Sequence, residues 1–146
     1  MKKIILLLVA VYSFTLSWAQ ETSNHSTSLK KLPSVELKNM DGKSVNTGKL
    51  GFDGPVIISF WATWCSPCKR ELNTIQDLYE DWQAETGVNL VAVSVDDEKT
   101  KSSVPVYVNG KSWDYLVLMD PNGDFKRALN VNNIPHTFLV NGLRWK

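Results

Sequence analysis

Two cysteines, Cys65 and Cys68, are the side chains of this 146-residue chain best suited to chemistry, and the sequence holds no other cysteine. A structural zinc site needs four Cys or His ligands, and the chain adds only His25 and His136. A covalently attached haem needs a histidine directly after the second cysteine, where this chain has Lys69. We therefore expect neither a metal nor a haem at the pair.

A structural disulfide and a redox-active dithiol remain as uses of the pair. A bridge that encloses only two residues removes little loop entropy from the unfolded chain, so it would stabilise the fold weakly. Pro67 suits the first turn of a helix, which puts Cys65 at or next to the N-cap. There the unpaired amide groups and the positive end of the helix dipole stabilise a thiolate. We predict a redox-active disulfide, in place of any bound cofactor, in which Cys65 attacks and Cys68 resolves.

The elements that must position the pair follow an α/β pattern. Residues 56–60 form a compact β-branched run that predicts a buried strand, and residues 90–95 predict a second one. Between them, residues 66–86 have helical spacing and Gly87 provides a stop. Strand, helix and strand in this order predict a right-handed crossover with parallel pairing.

The remaining segments predict shorter elements. The predicted order is a hairpin around Asp41-Gly42, a helix within residues 96–113, a strand over 115–119, a short helix over 125–129, a strand over 137–140 and a type I′ turn at Asn141-Gly142. Pro105 argues against a helix interior in the second of these segments. Length and composition favour one domain over residues 32–146.

The first nineteen residues have the composition of a secretory signal peptide. Lys2 and Lys3 precede an apolar run over residues 4–16, and Ser17-Trp18-Ala19 offers a cleavage site. The alternative is an uncleaved anchor, but the run is shorter than the roughly 20 apolar residues that a spanning helix needs. We expect cleavage after Ala19, a flexible tether over residues 20–31, and an exported protein, in bacteria a periplasmic one, without stable membrane insertion.

Composition and charge argue against a nucleic-acid partner. Hydrophobic residues make up 43% of the chain, charged residues 21%, and the formal net charge is +1. The basic residues do not form the positive stripe that would neutralise a run of phosphates, so no nucleic acid is expected. We expect a monomer.

The segment F-W-A-T-W-C-S-P-C, residues 60–68, resembles the active-site segment of thioredoxin-like proteins. From about Leu32 to its end the chain is most similar to the exported TlpA and ResA type of thiol-disulfide oxidoreductase, which also carries a glutamate at the place of Glu71. The resemblance implies a mixed sheet flanked by helices, an opening hairpin, and exchange with protein thiols and disulfides. It also implies an upstream electron donor, with reduction of partners as the direction. The helix that closes the fold in relatives does not follow residue 146, so we expect an abbreviated domain or a fragment.

A second segment resembles the family's cis-proline loop. It contains Ile134 and Pro135 just before a predicted strand. The resemblance implies that Trp64, Pro67, Ile134 and Pro135 bind the substrate. Without it, an ordinary trans proline that begins an edge strand would be the better interpretation. His136 follows, either as a titrating group beside the disulfide or as a histidine merely exposed on the loop.

Glu71 falls on the apolar face of the predicted helix, four residues before Ile75. It is either an exposed carboxylate near the helix start or a partly buried one that exchanges protons with Cys68. We predict the second, because carboxylates on buried faces are uncommon without a purpose. Ser59 stands where thioredoxins usually have a buried aspartate, and we expect Glu71 to take over that role. Asn73 stands where relatives have a helix-kinking proline, so a straighter helix is expected.

Two other functions compete with this prediction. A peroxiredoxin would need a Pro-x-x-x-Thr-x-x-Cys arrangement, which the sequence lacks. A binding module, or an impaired or truncated family member with an inert disulfide, is the non-enzymatic alternative.

Overall fold

The predicted order of strands and helices is found in a computed structural model of the chain, which describes residues 30–141 and 144–145. The strands are β1 (Lys30–Lys31), β2 (Glu36–Asn39), β3 (Ser44–Asn46), β4 (Val56–Trp61), β5 (Asn89–Ser94), β6 (Leu116–Met119), β7 (His136–Val140) and β8 (Arg144–Trp145). The helices are α1 (Ser66–Thr86), α2 (Ser103–Gly110) and α3 (Asp124–Ala128), and a 3-10 turn spans Thr47–Lys49. The predicted signal peptide, residues 1–19, and the predicted tether up to residue 29 lie outside the described residues.

A mixed sheet runs through the centre of the described residues, in the order β3-β2-β6-β5-β4-β7. Strands β4 and β5 pair in parallel, from Val56 opposite Asn89 to Trp61 opposite Ser94. Strand β6 adds in parallel to β5, whereas β7 pairs antiparallel with β4. The predicted crossover through α1 and the α/β fold class are thereby confirmed. Because β4 lies between β5 and β7, the loop that leaves its C-terminal end has neighbours on both sides.

The two faces of the sheet carry separate apolar cores, because alternate residues of each strand point to opposite sides. On one face Trp61 packs with Leu72 of α1 and with Trp113. On the other, Phe60 packs with Phe125 of α3, at 5.5 Å between ring centroids. Both faces are therefore covered along β4 and β5, as continuous apolar strands require.

Helix α1 begins and ends where the sequence predicts. Gly87 caps its C-terminus in the left-handed conformation, with φ at +66°, and its N–H donates to the Gln83 carbonyl at 2.8 Å. Such a φ favours glycine, because a side chain is strained there. Helix α2 lies inside the segment predicted as helical, with Pro105 in its first turn, where a missing N–H costs no hydrogen bond.

Strand β1 corrects the predicted boundary of the tether. Lys30 and Lys31, the last two residues of that predicted segment, pair antiparallel with Trp145 and Arg144. Leu32 directly after them is buried. Composition alone suggested a polar tether, but strand pairing here depends on backbone groups, which composition does not reveal. Gly142 lies outside the described residues, so the predicted type I′ turn stays a prediction. Within the described residues, the structure contains no helix with the length and apolarity to cross a membrane.

Candidate active site

The turn between β4 and α1 is fixed from both of its ends. The Cys65 N–H donates to the Ala62 carbonyl at 3.0 Å, and the Val95 N–H donates to the Trp61 carbonyl at 2.9 Å. The first bond closes the turn, and the second joins the end of β4 to the residue that follows β5. These bonds define the conformation of the turn that leads to the helix start.

The buried carboxylate of Asp96, 1% exposed, holds the middle of this turn. It accepts hydrogen bonds from the Thr63 N–H at 2.9 Å and from the Thr63 hydroxyl at 2.6 Å. The Ser94 hydroxyl donates to it as well, at 2.8 Å. A buried carboxylate is stable only when its oxygens are satisfied, and here three donors from two segments do so.

Cys65 and Cys68 form a disulfide across the first turn of α1, with their Cα atoms 5.4 Å apart. Cys65 is the N-cap residue, as predicted, and its sulfur accepts the Cys68 N–H at 3.3 Å. Pro67 stands in the first turn. Cys65 is 6% exposed and Cys68 only 1%, whereas Trp64 beside them is 62% exposed. The disulfide is thus buried, with Cys65 the more exposed of the two cysteines and directly after the exposed Trp64 in sequence.

The second predicted segment meets the same end of the sheet. His136 of β7 pairs with Phe60 of β4, so Pro135 lies level with the end of β4, where the turn to Cys65 begins. The Ile134-Pro135 peptide bond is cis. Pro135 is exposed and Ile134 is half-buried against both cores. The structure therefore brings the proposed substrate-binding residues to one edge, although their role stays a prediction.

Glu71 accepts hydrogen bonds from two strands of the sheet rather than pointing freely into solvent. It is half-buried, and its Oε1 accepts the Thr137 hydroxyl at 2.7 Å and the Ser59 hydroxyl at 3.4 Å. The two hydroxyls are 3.2 Å apart. A carboxylate of α1 is thus held against β4 and β7 one turn below the disulfide, since Glu71 follows Cys68 by three residues. Proton exchange between Glu71 and Cys68 stays a prediction.

His136 is exposed, and its ring packs against Phe138 with 4.7 Å between centroids. His136 is thus the exposed first residue of β7 rather than a loop residue, and both interpretations of its role stay predictions.

The sequence matches a known protein family over most of its length. The profile described as the AhpC/TSA family matches residues 29–143. The chain belongs to this family. The AhpC/TSA-family chain is 30% identical to the thiol-disulfide oxidoreductase ResA of Bacillus subtilis (strain 168), over 94% of its own length and 75% of that protein's. It is 34% identical to ResA of Oceanobacillus iheyensis, over 73% of its own length and 48% of that protein's.

A similar protein of known structure has the same fold. This thioredoxin-like protein from Porphyromonas gingivalis, whose solution structure has been solved, is 54% identical in sequence to the AhpC/TSA-family chain. It superposes with a TM-score of 0.69 and covers 77% of this chain and 74% of its own. The resemblance to the TlpA and ResA type of thioredoxin-like protein is thereby confirmed.

Three residues of this AhpC/TSA-family chain make contacts near the site that the sequence does not predict. Asp96 lies two residues after β5, and a position at the end of a buried strand is only a weak signal for a buried carboxylate. Nothing local in the sequence indicates the contacts of Thr137. For Asn73 the sequence predicts only the absence of a kink, but its carboxamide accepts a hydrogen bond from Trp113 Nε1 at 3.0 Å and donates one to the Tyr107 hydroxyl at 3.1 Å. Through these bonds Asn73 fastens α1 to the aromatic residues around α2.

Among residues 30–141 and 144–145, no group of three or more His, Cys, Asp or Glu side chains lies close enough together to hold a metal ion. The candidate active site therefore consists of the disulfide, the Asp96 and Glu71 contacts that surround it, and the exposed edge of Trp64 and Pro135.

Proposed function

We propose that this relative of the ResA thiol-disulfide oxidoreductases exchanges its Cys65–Cys68 dithiol with disulfides of partner proteins outside the cytoplasm, as a reductant. One observation carries the proposal: the disulfide joins an N-cap cysteine beside an exposed indole to a cysteine that is 1% exposed. The first sulfur can meet a partner, while the second can be reached only from within the same helix turn. This asymmetry is what a two-step exchange requires.

The exchange balances in sulfur atoms and electrons. In the reduced protein, the Cys65 thiolate attacks one sulfur of the partner's disulfide, and the other partner sulfur leaves as a thiolate. The Cys68 thiolate then attacks the Cys65 sulfur and releases the second partner thiol. Two electrons and, with the solvent, two protons pass to the partner, and the protein is left with the Cys65–Cys68 disulfide. A dithiol of an upstream donor protein reverses this change by the same two steps.

Groups close to the two cysteines support each of the two exchange steps. The amide of Cys68 points at the Cys65 sulfur, and such N–H groups at a helix start stabilise the negative charge of a thiolate. Glu71 follows Cys68 by one helix turn, and in this proposal its carboxylate takes up the proton that Cys68 releases before it attacks. Thr137 and Ser59 orient that carboxylate.

The exposed edge supports a polypeptide as the partner. Trp64, Pro67 and Pro135 are exposed beside the disulfide, and Ile134 is half-buried behind them. An extended segment of a partner would pack its side chains against this edge while its cysteine faces Cys65. The signal-peptide composition of residues 1–19 supports a location outside the cytoplasm.

Reduction of insulin by dithiothreitol tests the function. The wild-type protein should accelerate the precipitation of the insulin B chain, and Cys65→Ser should abolish the acceleration. Circular dichroism of both proteins controls for folding. A folded wild-type protein that gives no acceleration would favour the binding module with an inert disulfide.

A further inference from the structure

A cleft of about 640 Å³ opens beside the active-site edge, and the exchange reaction does not account for it. Trp64, Val95 and Ile134 line it. Lys126 and Arg127 of α3 line it as well, together with residues on either side of this helix. We name this space the Trp64 cleft. A polypeptide that contacts Trp64 and Ile134 therefore contacts the lining of this cleft.

The charges that line the Trp64 cleft have one sign. Lys126 and Arg127 contribute to its wall, and no Asp or Glu does so among the residues that the structure describes. Arg127 is already engaged, since it donates to the Asn122 carbonyl and to Asp124, both at 2.6 Å. The Lys126 ammonium has neither an ion pair nor a hydrogen bond within residues 30–141, so its charge is available to a ligand.

Carboxamides supply the other polar groups of the cleft. Asn122, Asn132 and Asn133 line it and are exposed, and their side chains make no hydrogen bond to other described residues. Each carboxamide has two N–H donors and an oxygen acceptor. Such groups can bind both a carboxylate and the backbone of an extended segment, whereas they offer little to an apolar side chain.

The wall that carries Lys126 is held by its own hydrogen bonds. The Asp120 carboxylate accepts the Lys126 N–H at 2.8 Å and the Asp124 N–H at 2.7 Å. The Val131 N–H donates to the Lys126 carbonyl at 3.0 Å. Both backbone groups of Lys126 are thus hydrogen-bonded, which holds this part of the cleft lining in place.

We propose that the Trp64 cleft is a specificity site that accepts an acidic side chain of the partner protein, close in sequence to the partner's reacting cysteine. The inference rests on the proposed function, since it concerns which partners reach Cys65. Lys126 attracts the carboxylate, the carboxamides bind it and the adjoining backbone, and Trp64 packs against the segment between the carboxylate and the cysteine. The preferred substrates are therefore cysteines with a neighbouring glutamate or aspartate.

Matched peptides test this specificity. Each peptide carries one cysteine as a mixed disulfide with 2-nitro-5-thiobenzoate, and glutamate, glutamine or lysine at each flanking position in turn. The rate of release of the coloured thiol from the peptide measures attack by reduced protein. For at least one position the wild type should react with the glutamate peptide about two- to fivefold faster than with the glutamine peptide, and more slowly still with lysine. Higher salt should reduce the preference.

Charge substitutions at Lys126 complete the test. Lys126→Gln should remove the preference and Lys126→Glu should reverse it towards the lysine peptide. Lys111→Glu, at an exposed lysine that does not line the cleft, should keep the wild-type order of peptides. Equal rates for all three peptides with the wild type, or an unchanged preference in folded Lys126→Glu, would overturn the cleft assignment alone. If no peptide reacts faster with wild type than with Cys65→Ser, the proposed function itself fails.

Discussion

Asp96 binds Thr63 with both oxygens of its carboxylate, one to the backbone N–H at 2.9 Å and one to the hydroxyl at 2.6 Å. The two residues are 33 positions apart in the sequence. Asp96 follows the end of β5, and Thr63 lies in the turn that delivers Cys65 to the helix start. The position of the Cys65 sulfur therefore depends on a side chain that follows the neighbouring strand.

We predict that Thr63→Val weakens both the fold and the exchange reaction. Valine keeps the shape of threonine but leaves one buried oxygen of Asp96 without its donor, which costs about 1 to 3 kcal/mol. Urea denaturation of the oxidised protein should show this loss, and insulin reduction should slow. Thr63→Ser retains the hydroxyl and should stay close to wild type in both measurements. Unchanged stability in Thr63→Val would show that the hydroxyl bond contributes little.

We predict that Cys68→Ser traps partner proteins through Cys65. Without the resolving thiol, the mixed disulfide formed by Cys65 cannot be released from within the protein. Cells that express the variant with residues 1–19 retained should yield, after thiols are blocked on lysis, higher-mass adducts that disappear on reduction. Cys65→Ser should give few, because the remaining sulfur is buried. Equal trapping by both variants would overturn the assignment of attacking and resolving cysteines.

We predict that Glu71→Gln slows exchange without unfolding the protein. The amide cannot take up a proton from Cys68, and it no longer places a negative charge near the developing thiolate. In a Cys65→Ser background, the alkylation of Cys68 should therefore reach its full rate at lower pH than when Glu71 is present.

Two variants control for this effect. Thr137→Val removes the 2.7 Å hydrogen bond but keeps the carboxylate, and it should give a smaller shift of the alkylation profile. Glu80→Gln changes an exposed carboxylate of α1 and should give none. Superimposable profiles with and without Glu71 would limit this residue to a structural role.

We predict a pH dependence of stability that originates at Asp120. Burial raises the pKa of its carboxyl above the usual value of 3.8, although three backbone N–H groups oppose the shift. The unfolded chain therefore loses this proton at lower pH than the folded protein does. The contribution of Asp120 to stability is fully present below the unfolded pKa and declines as pH rises through the folded pKa.

Asp120→Asn isolates this contribution, since the amide does not titrate. The difference in unfolding free energy between wild type and Asp120→Asn should shift against the wild type as pH rises from below 3.8 through the higher pKa of the folded protein. Asp53→Asn, at an exposed aspartate, is the matched control. A difference that does not vary with pH would show that the backbone donors cancel the effect of burial.

The periodicity of the sequence was sufficient to predict the elements that carry the cysteines. Val56–Trp61 and Asn89–Ser94 are buried on both faces, and helix α1 ends at Gly87, so local pattern and final structure agree there. Pro105 obscured helix α2, since a proline signals a break unless its place in the first turn is already known. The strand at Lys30 was missed because its partner lies at the far end of the chain.

The side-chain contacts of the site could not be predicted in the same way. Asn73 binds Tyr107 and Trp113, which are 34 and 40 residues away, and nothing local in the sequence indicates such partners. The same holds for Glu71 and Thr137, which are 66 residues apart. The resemblance to known proteins drew attention to Glu71, but the hydroxyls that hold it became visible only in the structure.

Because β4 pairs with both β5 and β7, the disulfide and the contacts that surround it depend on different parts of the fold. A peptide that spans β4 and α1 would contain both cysteines and could form their disulfide. It would lack Asp96 and Thr137, which reach the site only when β5 and β7 have paired with β4. Contacts of such long sequence separation form late and together. If these contacts set the reactivity of the cysteines, that reactivity is a cooperative property of the folded domain. On unfolding, it should then be lost in the same transition as the sheet.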